Sequence, residues 1–361
     1  LNAGSVGNIT IDGGATGCGA YGIVVSASNL TGAYVSVNAS AVNKAALYLQ
    51  SGNIFTSGSV SLCGTSTSGV GVQVGGSQKF DISNNDSNVV ISGCSTKNAG
   101  VLIIKGASIN VSCASLNITG ISQNGTGVEI RGGNLNSTGG ILLNGTSTSG
   151  RGVSLWNTLN VSGDININAT SVSNAAFYIL TSSALSAAGN ISVNATSSTG
   201  EGVVLNGNDS FTVNNSGGNI MLYGSSTKGV GVNISGVNNF SASNLTICGS
   251  SSKGCGVLIA NNGTLNVSGD IDINASSNNG SAVVLQGNIT ATGNINLTGC
   301  SSDVVGNNDA IRLTGGSIVS DCGNISVSGS VSNVAKSTAK VGGVSIRNIN
   351  ITANNGTISI S

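Results

Sequence analysis

Asp270 and Asp272 come closest, in this chain, to a catalytic pair. They flank Ile271 in the run GDIDINAS, and strand alternation places both carboxylates on one face about 7 Å apart, a separation that suits an inverting glycosidase. The neighbouring segments weigh against that chemistry. Equivalent positions carry Asn244 and Thr246 on one side and Asn294 and Asn296 on the other, with no Arg, Lys or His beside them. An ordinary polar ladder on a solvated face accounts for the same residues. A carbohydrate-active β-helix enzyme is the least favoured function, and the expectation is a non-enzyme with no catalytic residue, no metal and no cofactor.

Cysteines are the next reactive set: Cys18, Cys63, Cys94, Cys113, Cys248, Cys255, Cys300 and Cys322. None forms a C-x-x-C pair and the chain has no histidine, so a zinc ligand set is not in evidence. An even count permits disulfides outside the cytosol. Cys248 and Cys255 bracket one turn of a single repeat, and Cys63 and Cys94 fall in the same turn of successive repeats. Alternatively these are small turn residues, since Cys63 and Cys248 stand where other repeats carry Asn.

N-x-S/T tripeptides recur, among them Asn38, Asn144, Asn168, Asn194 and Asn274, each directly after an apolar residue and so facing out. Glycosylation of a secreted surface is one explanation, and an Asn/Ser/Thr-rich composition is the other. Asn144, Asn168 and Asn194 fall on consecutive rungs about 4.8 Å apart, too close for all three to carry sugar at once.

All of these residues must be held by one recurring unit, typified by Ile141–Ser171, ILLNGTSTSGRGVSLWNTLNVSGDININATS. Period-two apolar runs begin at Ile141, Val153 and Leu159, and the pattern restarts at Ile165. A G-V-x-L strand marks each lap, at intervals from 24 residues (Ile23 to Leu47) to 33 (Ile311 to Val344). A second series runs from Ile9 to Ile358, and a weaker third runs from Leu30 through Phe80 to Ile349. A lap of about 27 residues without helical period is too short for a propeller blade. It predicts an all-β chain, a right-handed single-stranded parallel β-helix with three short strands per coil and about 13 coils. One coil cannot bury its own apolar face, so the coils must stack. Gly163-Asp164, Gly269-Asp270 and Gly323-Asn324 mark a corner where positive φ is expected of glycine. Turns such as GTSTSGVGV are expected to stack Ser and Thr in hydrogen-bonded ladders.

Outward positions of the G-V-x-L strand are the least polar, with Leu102, Tyr178, Val204, Leu258 and Val284 among them. An exposed apolar stripe can mark a partner surface. Scattered Val and Leu are equally compatible with a face that binds nothing. Lys228 and Lys253, at equivalent turn positions without an acidic neighbour, suggest a solvated turn.

The composition bounds what remains. No shift or linker interrupts residues 1–361, which predicts a single repeat domain, and the pattern is under way at both ends, as in a segment of a longer chain. Twelve bases balance twelve acids, so net charge provides no footprint for nucleic acid or an anionic membrane. No apolar run is long enough for a membrane-spanning helix, and proline is absent, as befits a backbone committed to ladders.

The repeats GTSTSGRGVSLWNTLNVSGDININATS, TSSTGEGVVLNGNDSFTVNNSGGNIMLYGSS and GTLNVSGDIDINASS resemble the repeat region of filamentous-haemagglutinin-like exoproteins, the adhesins of Gram-negative two-partner secretion systems. That resemblance covers essentially the whole chain. It implies export through an outer-membrane transporter and display as a fibre at the cell surface, and the sequons are similar to those of the N-glycosylated high-molecular-weight members. Cysteine is usually scarce in such repeats, and the N-terminal secretion domain of the family is not seen here. The functional expectation is a structural and adhesive shaft of a secreted β-helical fibre, meeting a receptor or glycan on another cell. A self-assembling extracellular filament or sheath subunit is the alternative.

Overall fold

The computed structural model describes residues 1–75, 79–84, 87–104, 108–132, 134–180, 183–214, 217–302, 309–332 and 341–361. The chain divides into two compact units, Leu1–Ser171 with Ala184–Gly189, and Val172–Ser183 with Asn190–Ser361. Among the described residues each unit is all-β, with no helix and therefore none long and apolar enough to cross a membrane.

Three kinds of strand alternate, and each kind forms its own sheet. In the first unit a long sheet runs from Asn8–Ala15 to Ile165–Ser171, a short sheet from Ile23–Val25 to Val153–Leu155, and a third sheet from Ser28–Gly32 to Ala184–Ala187. In the second unit the long sheet runs from Ile191–Ser197 to Ile358–Ile360. Its short sheet runs from Phe177–Leu180 to Val344–Ile346, and its third sheet from Asp209–Val213 to Asn350–Ala353. Every third strand pairs with the next of its kind, in parallel. This is the three-strand coil of a right-handed parallel β-helix.

Apolar residues at every second position make these strands, because period-two alternation sends one set of side chains inward. In Ile165–Ser171 burial alternates strictly between buried and exposed. Like then stacks on like: Ile141 pairs with Ile165 and Leu143 with Ile167 in the first unit, and Ile220 with Leu245 and Leu222 with Ile247 in the second. All eight are at most 1% exposed. The series from Ile9 and from Ile23 stay in register throughout each unit. The third series does not. Ile54 pairs with Ile82 rather than Phe80, Phe240 with Val267 rather than Leu265, and Ile318 with Ile351 rather than Ile349. Where a strand is short and its run weakly apolar, a slip of two residues keeps the same face inward, so alternation alone does not specify register.

Two other expectations are corrected. Gly163, Gly269 and Gly323 do not adopt positive φ, which among the described glycines is confined to Gly4, Gly19, Gly52, Gly132, Gly236 and Gly316. They are small because a Cβ would strike the preceding coil: backbone of Gly140, Ser243 and Asn294 respectively. Nor do the turn serines bond to one another. Ser95, Ser122 and Ser147 are each at most 3% exposed and donate to carbonyls of the coil before, at Gly69, Asn98 and Gly125 (2.7, 2.6 and 2.6 Å). Each also accepts the N–H three residues on, at Asn98, Gly125 and Gly150. Ser226, Ser251 and Ser277 repeat the device in the second unit.

Candidate interaction face

The short strand has only three or four residues, so its one outward side chain lies between the shoulders of two turns. The apolar stripe expected on this face is consequently not exposed. Val204 and Val284 are 7% and 6% exposed, and Leu102, Tyr178 and Leu258 are half-buried. Around these five, what reaches solvent is the polar and charged rim, whereas Val24 in the first unit is an outward apolar residue that is 47% exposed.

In the first unit Glu129 and Ser154 are register partners at the centre of this face, 7% and 0% exposed. Arg131 donates through Nε to Glu129 at 2.7 Å. Ser154 Oγ accepts from Trp156 Nε1 at 2.9 Å and from Arg151 Nη1 at 3.5 Å, and Trp156 is 42% exposed. The chain's single tryptophan therefore stands on the same rim as two guanidiniums. Further along, Lys44 lies 5.7 Å from the ring centroid of Tyr21, which stacks on Tyr48 at 5.3 Å. In the second unit Tyr178 accepts from Asn206 at 2.9 Å, and Arg312 reaches Ser281 at 3.2 Å.

Charge is sorted by side although it cancels overall. All four arginines, Arg131, Arg151, Arg312 and Arg347, lie in or beside a short strand, and Lys44, Lys97, Lys228 and Lys253 are exposed in the turn that leads into it. Among the described residues of the first unit this side carries four bases against Glu129, a surplus of three positive charges. Its other sides carry Asp12, Asp81 and Asp164. The second unit carries four bases against Glu201 and Asp309 on the short-sheet side, and only Asp209, Asp270, Asp272 and Asp321 elsewhere. Lys105, Lys336, Lys340, Asp86 and Asp303 lie outside the described residues.

The other candidates fall on the long sheet. Asp270 accepts the Asn294 N–H at 2.7 Å and Asp272 accepts from Asn296 Nδ2 at 2.7 Å, so each carboxylate is tied to the next coil. Among the sequons, Asn38 donates to Asp12 and Asn168 to Asn144, while Asn144 donates to Asn117 (2.9, 3.0 and 3.4 Å). Asn194 and Asn274 are exposed, and their amides make no such bond among the described residues. They line one shallow groove with Tyr223 and Cys248. Among the described residues no three His, Cys, Asp or Glu side chains converge as a metal site would require.

All eight cysteines are free thiols. Cys63 pairs in register with Ser92 and Cys94 with Thr65, which sets the two about 8 Å apart across the ladder, beyond disulfide reach. Cys248 faces out beside Asp272 on the long sheet, whereas Cys255 lies near Arg312 on the short-sheet side, so a corner separates them. Burial pushes the thiols of Cys113, Cys248 and Cys255 up. For Cys113 a hydrogen bond with Ser137, and for Cys255 the Arg312 charge, oppose the rise, while Asp272 adds to it at Cys248.

No protein-family model matches the sequence, and no curated protein matches it significantly. The class is set by the fold alone, that of the parallel β-helix.

Proposed function

We propose that this chain is a structural and adhesive shaft of a secreted, cell-surface β-helical fibre, and that its short-sheet side makes the attachment. The observation carrying this is the sorting of charge: a chain with balanced acids and bases sets its arginines and exposed turn lysines on one side in both units. A field of one sign along a face draws in anionic groups on a partner surface, and its reach falls with salt. The buried centre of the face contributes rigidity and the rim contributes contact. Export through an outer-membrane transporter belongs to the same proposal and rests on the repeat resemblance.

Binding of the purified chain to cells tests it. Attachment is expected at physiological ionic strength and should weaken as salt rises, while a chain that binds no cells and forms no assemblies is a spacer and nothing more. Lateral self-association into a filament or sheath is the second reading, favoured by the acidic residues on the remaining sides, which complement the basic side of another copy. Electron microscopy separates the two: regular polymers support the filament, single cell-anchored fibres the adhesin.

A further inference from the structure

Asp209 and Asn238 occupy places that the fold otherwise keeps apolar. In the third sheet of the second unit the register runs Asp209, Asn238, Leu265, Ile289, Ile318, so two polar side chains head a column that is apolar in the coils that follow. Both are 0% exposed. Two residues along the same strands, Phe211 and Phe240 stack at 4.7 Å and seal the neighbouring space.

The hydrogen bonds of this pair leave a specific deficit. Asn238 Nδ2 donates to the carbonyls of Ser235 and Gly236, both at 3.1 Å. Carbonyls only accept, so the amide orientation is fixed and Asn238 Oδ1 is left as an acceptor. Asp209 Oδ1 accepts the Ser183 N–H at 3.2 Å. Asp209 Oδ2 and Asn238 Oδ1 are both buried, and neither meets a donor among the described residues. Two unsatisfied acceptors on stacked residues, about 4.8 Å apart along the ladder, forfeit their hydration and repel each other. One proton on Asp209 Oδ2 corrects both faults, removing the charge and supplying the missing donor to Asn238 Oδ1.

We propose that Asp209 is a neutral carboxylic acid in the folded protein, hydrogen-bonded through its proton to Asn238, and that folding of the second unit takes up this proton at neutral pH. Burial pushes the Asp209 carboxyl above its ordinary range, with the Ser183 N–H opposing the rise. No neighbouring charge contributes. Among Phe177–Leu180, Val203–Asn206, Asn219–Ser226, Val232–Ser235 and Val237–Ser241, the titratable side chains are Tyr178 and Tyr223, both on the outer surface, and Glu201 lies in the turn before Val203.

The sign follows from which state holds the proton. The folded chain binds it more tightly than the unfolded chain, whose aspartate titrates near about 3.9. The stabilisation is therefore complete below that pH and is lost as pH rises through the folded value. Asp209→Asn places an N–H donor where the proton was and removes the titration. Denaturant unfolding of the full chain should show the folding constant of the unsubstituted protein falling about tenfold per pH unit relative to Asp209→Asn from about pH 4 up to the folded value, and running parallel to it beyond. Infrared spectra at pH 7 should contain a protonated-carboxyl band that Asp209→Asn lacks. Parallel stabilities across pH together with no such band would overturn the proposal. So would stabilisation by added sodium or calcium that Asp209→Asn lacks, which would assign the site to a cation. If Asp209→Asn does not fold, the neutral-pH band of the unsubstituted protein decides alone, and its absence overturns the proposal.

Discussion

Single residues in this protein divide by what their polar atoms are already committed to. The sequons illustrate it. Asn38, Asn144 and Asn168 give their amide hydrogens to Asp12, Asn117 and Asn144. A sugar on any of them would cost a ladder bond, whereas the amides of Asn194 and Asn274 make none among the described residues. Among these five sequons, glycopeptide mapping should therefore find sugar on Asn194 and Asn274 rather than on Asn38, Asn144 or Asn168, and occupancy of Asn144 or Asn168 would show that the ladder does not govern modification. The thiols divide by burial in the same way. Cys18, Cys94, Cys300 and Cys322 are exposed, while burial raises the thiols of Cys113, Cys248 and Cys255 and so disfavours the reactive thiolate there. Maleimide labelling of the native chain at pH 7 is expected to modify the exposed four rapidly, the half-buried Cys248 and Cys255 more slowly, and the buried Cys113 only on unfolding. None of this was legible in the tripeptides or the cysteine spacing, because acceptor identity depends on the residue one coil away.

At the scale of the strand and turn, the coil is held by small residues at fixed places. Gly120 is one: its Cβ would meet the carbonyl of Gly127, where the long strand passes close to the turn into the short sheet, and Gly93, Gly145, Gly224 and Gly249 repeat that approach. Gly120→Ala should cost about 3 kcal/mol, the upper end for forcing extra volume into a packed site. Ser122→Ala leaves the Asn98 carbonyl and the Gly125 N–H without their partner, an expected loss of about 2 kcal/mol in denaturant unfolding. Ser149→Ala, in the exposed part of the next turn, should stay within about 0.5 kcal/mol. Strand identity was readable from alternation, since every residue that heads a G-V-x-L run, from Ile23 to Val344, begins a short strand. The purpose of the turn residues was not. Ser and Gly there serve the backbone of the preceding coil, a relation that period-two patterning does not encode.

For the molecule as a whole, net charge concealed how the charge is distributed over the sides of each unit. The inference that balanced charge leaves no electrostatic footprint for nucleic acid or an anionic membrane treats the surface as uniform, but a parallel β-helix assigns each residue to a side according to the strand it follows. Once the strands are placed, Arg131, Arg151, Arg312 and Arg347 fall beside the short sheet and Asp12, Asp270, Asp272 and Asp321 fall elsewhere. Val204 and Val284 shift the opposite way, from an expected apolar contact stripe to a buried floor. On our proposal the basic side of each unit makes the attachment. Lys97, Lys228 and Lys253 are exposed corner residues, so Lys97→Gln/Lys228→Gln/Lys253→Gln removes three positive charges at little cost to the fold. Cell binding of this variant and the parent chain, measured across a salt series, tests the claim most directly. Binding several-fold weaker for the variant, with a shallower salt dependence, is expected, and equal binding with the same salt dependence would show that the basic sides make no attachment.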